Sequence, residues 1–374
     1  MVPVNISDNL KILGRSLHLE TQFNPEDPDI IQTLYERGKV LRKVRIRVKD
    51  KIATARISKW ISEQHLEACN LLCFLSDARE KIIAHRHGRS LNALGKLFLL
   101  WGLTDEAIEV LNFAAYPESD SCQTANVQLI EAYQCRGEIS KALALINPLL
   151  SKFPENDELW YERSKIRLKE KKYAEAFDDI KNAIQRRPEF DEYYLLAALY
   201  SLYIIINKNL APELKSEGSA IQICITNLAE ALKRTNRFSR AQLDPVLKSL
   251  QKQSAQEAVS KLQKLIESLT CEDCGLYELF YLFILYGDHG KKTDMIKQYI
   301  GRARMLADRY PENPRFHMNL GTGFIVYCRE QLQKALHEFH TAQSLDWQVT
   351  DYELVKEAEN LGNHFYDFMK RLLQ

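Results

Sequence analysis

Cys271-Glu-Asp-Cys274, with His289 further along, is the spacing in this chain that comes nearest to chemistry. Two thiolates three positions apart plus an imidazole are zinc ligands in kind. A closed tetrahedral site, however, needs a second pair. The remaining candidate, Cys328, lies far off in another segment. A redox role would need the strand–helix surroundings of a thioredoxin-type motif, which the flanking sequence lacks. The pair therefore reads as part of a turn between helices, and no metal is expected. His85-Arg86-His87 reads as a solvated connector, and Gly321-Thr-Gly323 is a weak phosphate signal. A phosphate loop of the Gly-x-x-x-x-Gly-Lys type, a Gly-x-Ser-x-Gly elbow and a His-Glu-x-x-His helix are all missing. No residues assemble into a catalytic set, so the expectation is a protein that is not an enzyme and takes no cofactor.

Charge gives a second lead. Arg37, Lys39, Arg42, Lys43, Arg45, Arg47, Lys49, Lys51, Arg56 and Lys59 are interrupted by a single acid, Asp50. Arg42, Lys43, Arg45, Arg47 and Lys49 form the heart of this run and are candidates for holding phosphates, an acidic partner or an anionic surface. The plainer account is the exposed side of an amphipathic helix whose charges pair with neighbouring acids. No aromatic residue interleaves the bases before Trp60, so single-stranded nucleic acid is the weaker partner class.

The elements that would position such groups follow from composition and periodicity. The chain has 374 residues, 45% of them hydrophobic, and a formal net charge of +1. That balance argues against a globally basic nucleic-acid binder and against an acidic disordered chain. Met1 to Asp8 shows no basic-then-apolar leader pattern. The longest uncharged apolar run, Leu195 to Asn207, is shorter than the roughly 20 residues a bilayer requires. The cysteines are scattered through helical patterns, which suits reduced thiols and a cytoplasmic setting.

Residues 1–25 show weak periodicity and read as an arm or frayed end. From Pro28 to about Arg86, Leu34, Leu41, Val44, Val48, Ile52 and Ala55 recur at three- and four-residue spacings, which predicts helix. Val44-Arg-Ile46-Arg-Val48 also alternates as a strand would, but the longer stripe favours helix. Three similar segments then follow at about 88–121, 123–156 and 157–190. Trp160, Tyr161, Tyr173, Ala176, Phe177, Ile180, Ala183 and Pro188 mark the third. Leu129, Tyr133, Gly137, Ala142, Ile146 and Pro154 hold the same offsets in the second, and Leu94, Gly95, Phe98, Gly102, Ala107, Leu111 and Ala114 in the first. The shift from Pro154 to Pro188 is one period of about 34 residues, that of a helix–turn–helix repeat.

On these residues the chain resembles the tetratricopeptide-repeat (TPR) family, strongly over 88–200 and across roughly two-thirds of its length. The resemblance implies an all-α fold, a right-handed α-solenoid of TPR-type hairpins preceded by an irregular N-terminal helical region. The expected division is 1–87 helical with the basic segment, 88–206 repeats, 207–270 an interruption, 271–350 further TPR-like repeats and 351–374 a capping helix. Within the interruption one amphipathic helix is expected over 245–269, and a final repeat is expected from Phe316 through Ala342.

In this family the first helix of each repeat lines a groove that holds a partner. Carried onto this chain, the candidate partner-binding residues are Lys96, Val127, Glu131, Tyr161, Lys165, Leu195, Leu199, Leu202 and Tyr203. The carboxylate clamp of chaperone adaptors is disfavoured, because Glu158 and Glu162 occupy its third-repeat positions. The resemblance thus implies a scaffold or adaptor binding a protein or peptide segment within a multiprotein complex. The alternative is an anion-binding module built on residues 37–59. Leu195, Leu199 and Leu202 could equally be internal packing, since apolar helix faces are core by default.

Overall fold

The computed structural model describes residues 4–24, 27–47, 54–115, 122–207, 217–235, 238–252, 254–269, 275–287, 293–311, 314–345 and 352–373. The described chain divides into two compact units. One comprises Met1–Cys122, Gly275–Ala307 and Pro314–Gln374, and the other Gln123–Cys274 and Asp308–Asn313.

The first unit begins with a sheet where helix was expected. Strands β1 (Val4–Ile12), β2 (Arg15–Asn24), β3 (Asp27–Glu36) and β4 (Lys39–Arg47) form an antiparallel meander in chain order. Alternation decides it. Leu17, Leu19, Thr21 and Phe23 of β2 are buried on one face, opposite Leu34, Gln32 and Ile30 of β3 in register. The tight turns Leu13-Gly14 and Arg37-Gly38 have both residues at positive φ. That is the backbone that two-residue hairpins favour, and glycine adopts it without strain. The helical spacing of Leu34, Leu41 and Val44 is a coincidence of period-two strands with an i, i+3, i+4 stripe, whereas Ala55 does fall in a helix and Val48 and Ile52 lie outside the described residues. The stretch expected to be an arm or frayed end holds two strands over Val4–Ile12 and Arg15–Asn24.

Helix α1 (Thr54–His85) covers the buried face of the sheet, with Ile61 among Phe23 and Ile30. The first repeat follows as α2 (Gly88–Leu100) and α3 (Thr104–Ala114). Strand β4 docks on their turn. Arg42 stacks on the Trp101 ring at 4.0 Å, and a Cβ on Gly102 would meet the Leu41 carbonyl oxygen at 2.2 Å. Arg15 pairs with both Glu36 and Glu106, tying β2 to β3 and α3. The same unit holds a helix pair, α12 (Leu276–Tyr286) and α13 (Thr293–Arg309), then α14 (Pro314–Leu345) and α15 (Tyr352–Leu373). The final repeat expected over 316–342 is instead one continuous helix. The turn position that carries Gly102 and Gly137 at positive φ in earlier repeats has no counterpart between Cys328 and Lys334. Gly323 serves packing instead, since its absent side chain leaves room for Phe280 and Ile300.

The second unit contains TPR-like hairpins: α4 (Cys122–Cys135) with α5 (Ile139–Lys152), α6 (Asp157–Lys169) with α7 (Tyr173–Arg186), and α8 (Asp191–Ile206) with α9 (Glu217–Arg234). Ala142, Ala176 and, in the first unit, Ala107 are wholly buried, where the close helix crossings demand small side chains. Two side chains repeat their roles one period apart. Trp160 Nε1 donates to the Pro154 carbonyl, and Tyr194 OH donates to the Pro188 carbonyl. The expected helix over 245–269 is two helices, α10 (Arg240–Gln251) and α11 (Ala255–Leu269), with Ser254 N–H turned back onto the Ser249 carbonyl. Among the described residues no helix is long and apolar enough to cross a membrane.

Candidate functional site

The first helices of the second unit lie side by side, and side-chain hydrogen bonds join them. Asn156, at the N-cap of α6, accepts from the Leu159 N–H, so that helix starts with its polar face set. From it Glu162 accepts from Gln134 Nε2 of α4 at 2.6 Å. Lys169 Nζ donates to the Gln134 carbonyl at 3.3 Å. Toward α8, Tyr161 OH donates to Glu192 at 2.6 Å, and Tyr193 OH donates back to Asp157 at 2.5 Å.

Three of the residues expected to bind a partner come together on this strip. Lys165 Nζ sits 4.5 Å from the Tyr161 ring centre and 2.7 Å from Glu162 Oε1. Glu131 is exposed and close enough for its charge to act on both Glu162 and Lys165. Val127 is half-buried on the same helix as Glu131. Burial pushes the Glu162 carboxyl up, and Lys165 and Gln134 pull it partly back. Burial alone would lower the Lys165 ammonium, but Glu162, Glu131 and Glu192 outweigh it and hold the group above its ordinary value. Burial likewise raises the Tyr161 phenol, with Glu192 adding to it, so Tyr161 stays a hydrogen-bond donor. Beneath the strip Asp179 of α7 is clamped by Arg163 at 2.8 Å and Arg167 at 2.9 Å, which fixes α6 on its partner helix.

The apolar part of the expected groove is not open. Leu195, Leu199 and Leu202 are buried in the same core as Val259, Leu262 and Leu265 of α11. Helix α11 packs directly on α8, and Gln263 Nε2 donates to Tyr203 OH at 2.8 Å. Tyr203 itself stacks on Tyr173 with ring centres 5.4 Å apart. The chain's own helix therefore covers the strip that the sequence offered to a partner. Lys96, in the first unit, is also taken: it pairs with Glu278 of α12 at 2.5 Å, beside Arg89, which lies over the Tyr281 ring at 4.7 Å.

The basic segment is likewise redistributed. On β4 the side chains alternate, so Arg42 turns toward the covered side of the sheet and Trp101. Lys43 and Arg45 stand on the opposite face, where Arg45 is 3.5 Å from Asp29. Arg47 ends the strand opposite Asp29 in register. Lys49, like Cys271, Cys274 and His289, lies outside the described residues. Among the described residues, Arg42, Lys43, Arg45 and Arg47 lie on a strand and not on a helix face.

Sequence reasoning passed over one cluster. Asp8, His65 and Cys69 present a carboxylate oxygen, an imidazole nitrogen and a sulfur all within 4.8 Å of one another. Burial, then the Asp8 charge, pushes the Cys69 thiol up to about 11. The usable signal was the one-turn spacing of His65 and Cys69, but its third member sits on β1, in a stretch read as an arm or frayed end.

No protein-family model matches the chain, and no curated protein matches it in sequence. Among solved structures it is similar to the crystal structure of the P58(IPK) TPR domain, with 14% identity over 83% of this chain and 87% of that one, at a TM-score of 0.21.

Proposed function

We propose that the protein is a non-catalytic interaction scaffold or adaptor that holds a protein segment on the α4–α6 strip of its second unit, as one member of a larger assembly. The supporting observation is the contrast along the first helices. Helix α8 is enclosed, whereas α4 and α6 leave Glu131 exposed and Tyr161 and Lys165 half-buried on a strip stiffened by the Glu162–Gln134 bond. Glu131, Glu162 and Glu192 outnumber Lys165 and Lys169 here, which suits a ligand with a basic side chain beside an aromatic or aliphatic anchor. Preformed side chains keep the ordering cost of binding low.

The anion-binding alternative loses support from the alternation of β4, which sets Arg42 on one face and Lys43 and Arg45 on the other. The test is affinity capture with the intact protein, wild type against Glu131→Arg and Tyr161→Ala. Loss of the same co-purifying chain in both variants, with unchanged melting curves, supports the reading. Capture that survives both variants but falls steeply with salt would point to the basic strand instead.

A further inference from the structure

Between the sheet and α1, Thr21, Gln32 and His65 form a buried polar patch. His65 Nδ1 lies 2.9 Å from Thr21 Oγ1. Gln32 Nε2 reaches that hydroxyl at 3.5 Å and the Gln64 carbonyl at 3.3 Å. The other imidazole nitrogen, Nε2, is 3.1 Å from Asp8 Oδ2, and Cys69 Sγ is 4.0 Å from the same oxygen. One face of α1 supplies both His65 and Cys69, since residues four apart on a helix are neighbours.

Two ordinary accounts fall short. A buried neutral histidine needs one donor and one acceptor, and Thr21 with Asp8 provides them. That account does not explain a thiol brought against the same carboxylate. A cysteine nucleophile with a histidine base needs an imidazole nitrogen free to take the thiol proton, and the base oriented through its other nitrogen. Here Thr21 holds Nδ1 and Asp8 holds Nε2, so neither nitrogen is left for the sulfur.

We infer that Asp8, His65 and Cys69 form a three-ligand site for a zinc-class divalent transition metal, with Thr21 orienting the imidazole. The donor set is a carboxylate, an imidazole and a thiolate, the ligand types that zinc takes in tetrahedral sites. Zinc holds nitrogen and oxygen at about 2.0–2.2 Å and sulfur at about 2.3 Å, which in a tetrahedron sets the ligand atoms about 3.3–3.7 Å apart. The imidazole nitrogen and carboxylate oxygen, 3.1 Å apart, are already near that spacing, and the Cys69 sulfur, 4.0 Å from the oxygen, has only to move in. His65 Nδ1–H donating to Thr21 Oγ1 leaves the Nε2 lone pair for the metal, the outer-shell arrangement that histidine ligands require. Gln32 holds that hydroxyl in turn. The Asp8 side chain is 61% exposed while that of His65 is 4% exposed, so the fourth position opens at the solvent rim. A metal there would staple β1 to α1.

The experiment titrates the metal-stripped full-length protein with cobalt(II), whose thiolate charge-transfer band reports a sulfur ligand, and then displaces it with zinc. Binding of one equivalent with that band is expected, and Cys69→Ser should lose the band. Asp8→Asn, changed at an exposed position so that the fold is kept, should weaken affinity at least 10-fold. Thr21→Val should weaken it about 10- to 100-fold, as loss of an outer-shell partner does. Cys271→Ser combined with Cys274→Ser should leave the band in place. No band in the wild-type protein overturns the assignment. So does a band that survives Cys69→Ser, or full affinity in Asp8→Asn with a wild-type circular dichroism spectrum.

Discussion

Helices α6 and α8 hold the same place in successive repeats, yet they meet opposite surroundings. In α6 only Leu159, Glu162, Ser164 and Ile166 are buried, and the remaining side chains reach solvent at least in part. In α8 everything from Tyr193 through Leu202 is buried, along with Asp191, Ile204 and Ile205. Its partner α9, the preceding α7 and the later α11 all pack on α8, in addition to its side-chain hydrogen bonds with α6. A helix that is apolar all round must be buried all round, whereas one apolar stripe buries one side. Position in a repeat therefore does not fix exposure. An added helix does, and here it moves the accessible strip back to α4 and α6.

The largest effect expected from that difference is at Leu199. Leu199→Asp places a carboxylate in the core shared with α11 and should cost roughly 4 kcal/mol or more. Helical circular dichroism should fall and the α8–α9 hairpin should melt early. A folded Leu199→Asp protein with unchanged melting would mean that α8 is open after all. Ala176→Leu tests the hairpin α6–α7 from the other side of the comparison. Overpacking this crossing should destabilise by roughly 1–3 kcal/mol in denaturant titration.

A third prediction sharpens the electrostatics of α6. Burial raises the Glu162 pKa in the folded protein, so the unfolded chain gives up that proton more readily. Above the raised pKa the carboxyl works against folding. As pH falls from neutral through the folded pKa toward the ordinary carboxylate value, that penalty disappears. Wild-type stability should therefore rise relative to Glu162→Gln over that window, read as the difference between their melting temperatures against pH. A difference that does not change with pH would place Glu162 in water.

The smallest effect concerns the turn of the α6–α7 hairpin. Gly102 and Gly137 hold positive φ in their repeats, and Lys171 holds φ 61° at the matching place. Lys171→Gly removes a left-handed penalty of about 1 kcal/mol and gives part of it back as unfolded-chain entropy, so a gain below about 1 kcal/mol is expected. Destabilisation would mean that the lysine side chain contributes more than the backbone strain costs.

The hairpins of 88–190 were legible because a helix pair is local. Ala107, Ala142 and Ala176, Gly102 and Gly137, and Pro154 and Pro188 fall at one period, and each feature acts within a few residues of itself. The sheet was not legible, although Leu13-Gly14 and Arg37-Gly38 signalled its hairpins. Its strands pair with their sequence neighbours, but period-two residues such as Leu34 and Val44 also fit a helical stripe, and the helix that buries one face, α1, comes only after them. The unbroken α14 was missed because small residues at 321 and 323 resemble a repeat, while the missing turn glycine is a negative signal. At the candidate site Glu131, Tyr161 and Lys165 could be placed by their repeat offsets. That α11 would fold back over Leu195, Leu199 and Leu202 could not, because nothing in α8 says which later helix covers it.

The central claim is that the open strip, and not the α8 face, receives the partner. Capture by the intact protein and by Glu131→Arg, compared at matched thermal stability, tests it most directly. Glu131 is exposed, so the variant should fold and melt as wild type does. The account predicts that the co-purifying chain is lost when this charge is reversed. Undiminished capture by a normally folded Glu131→Arg protein would contradict it.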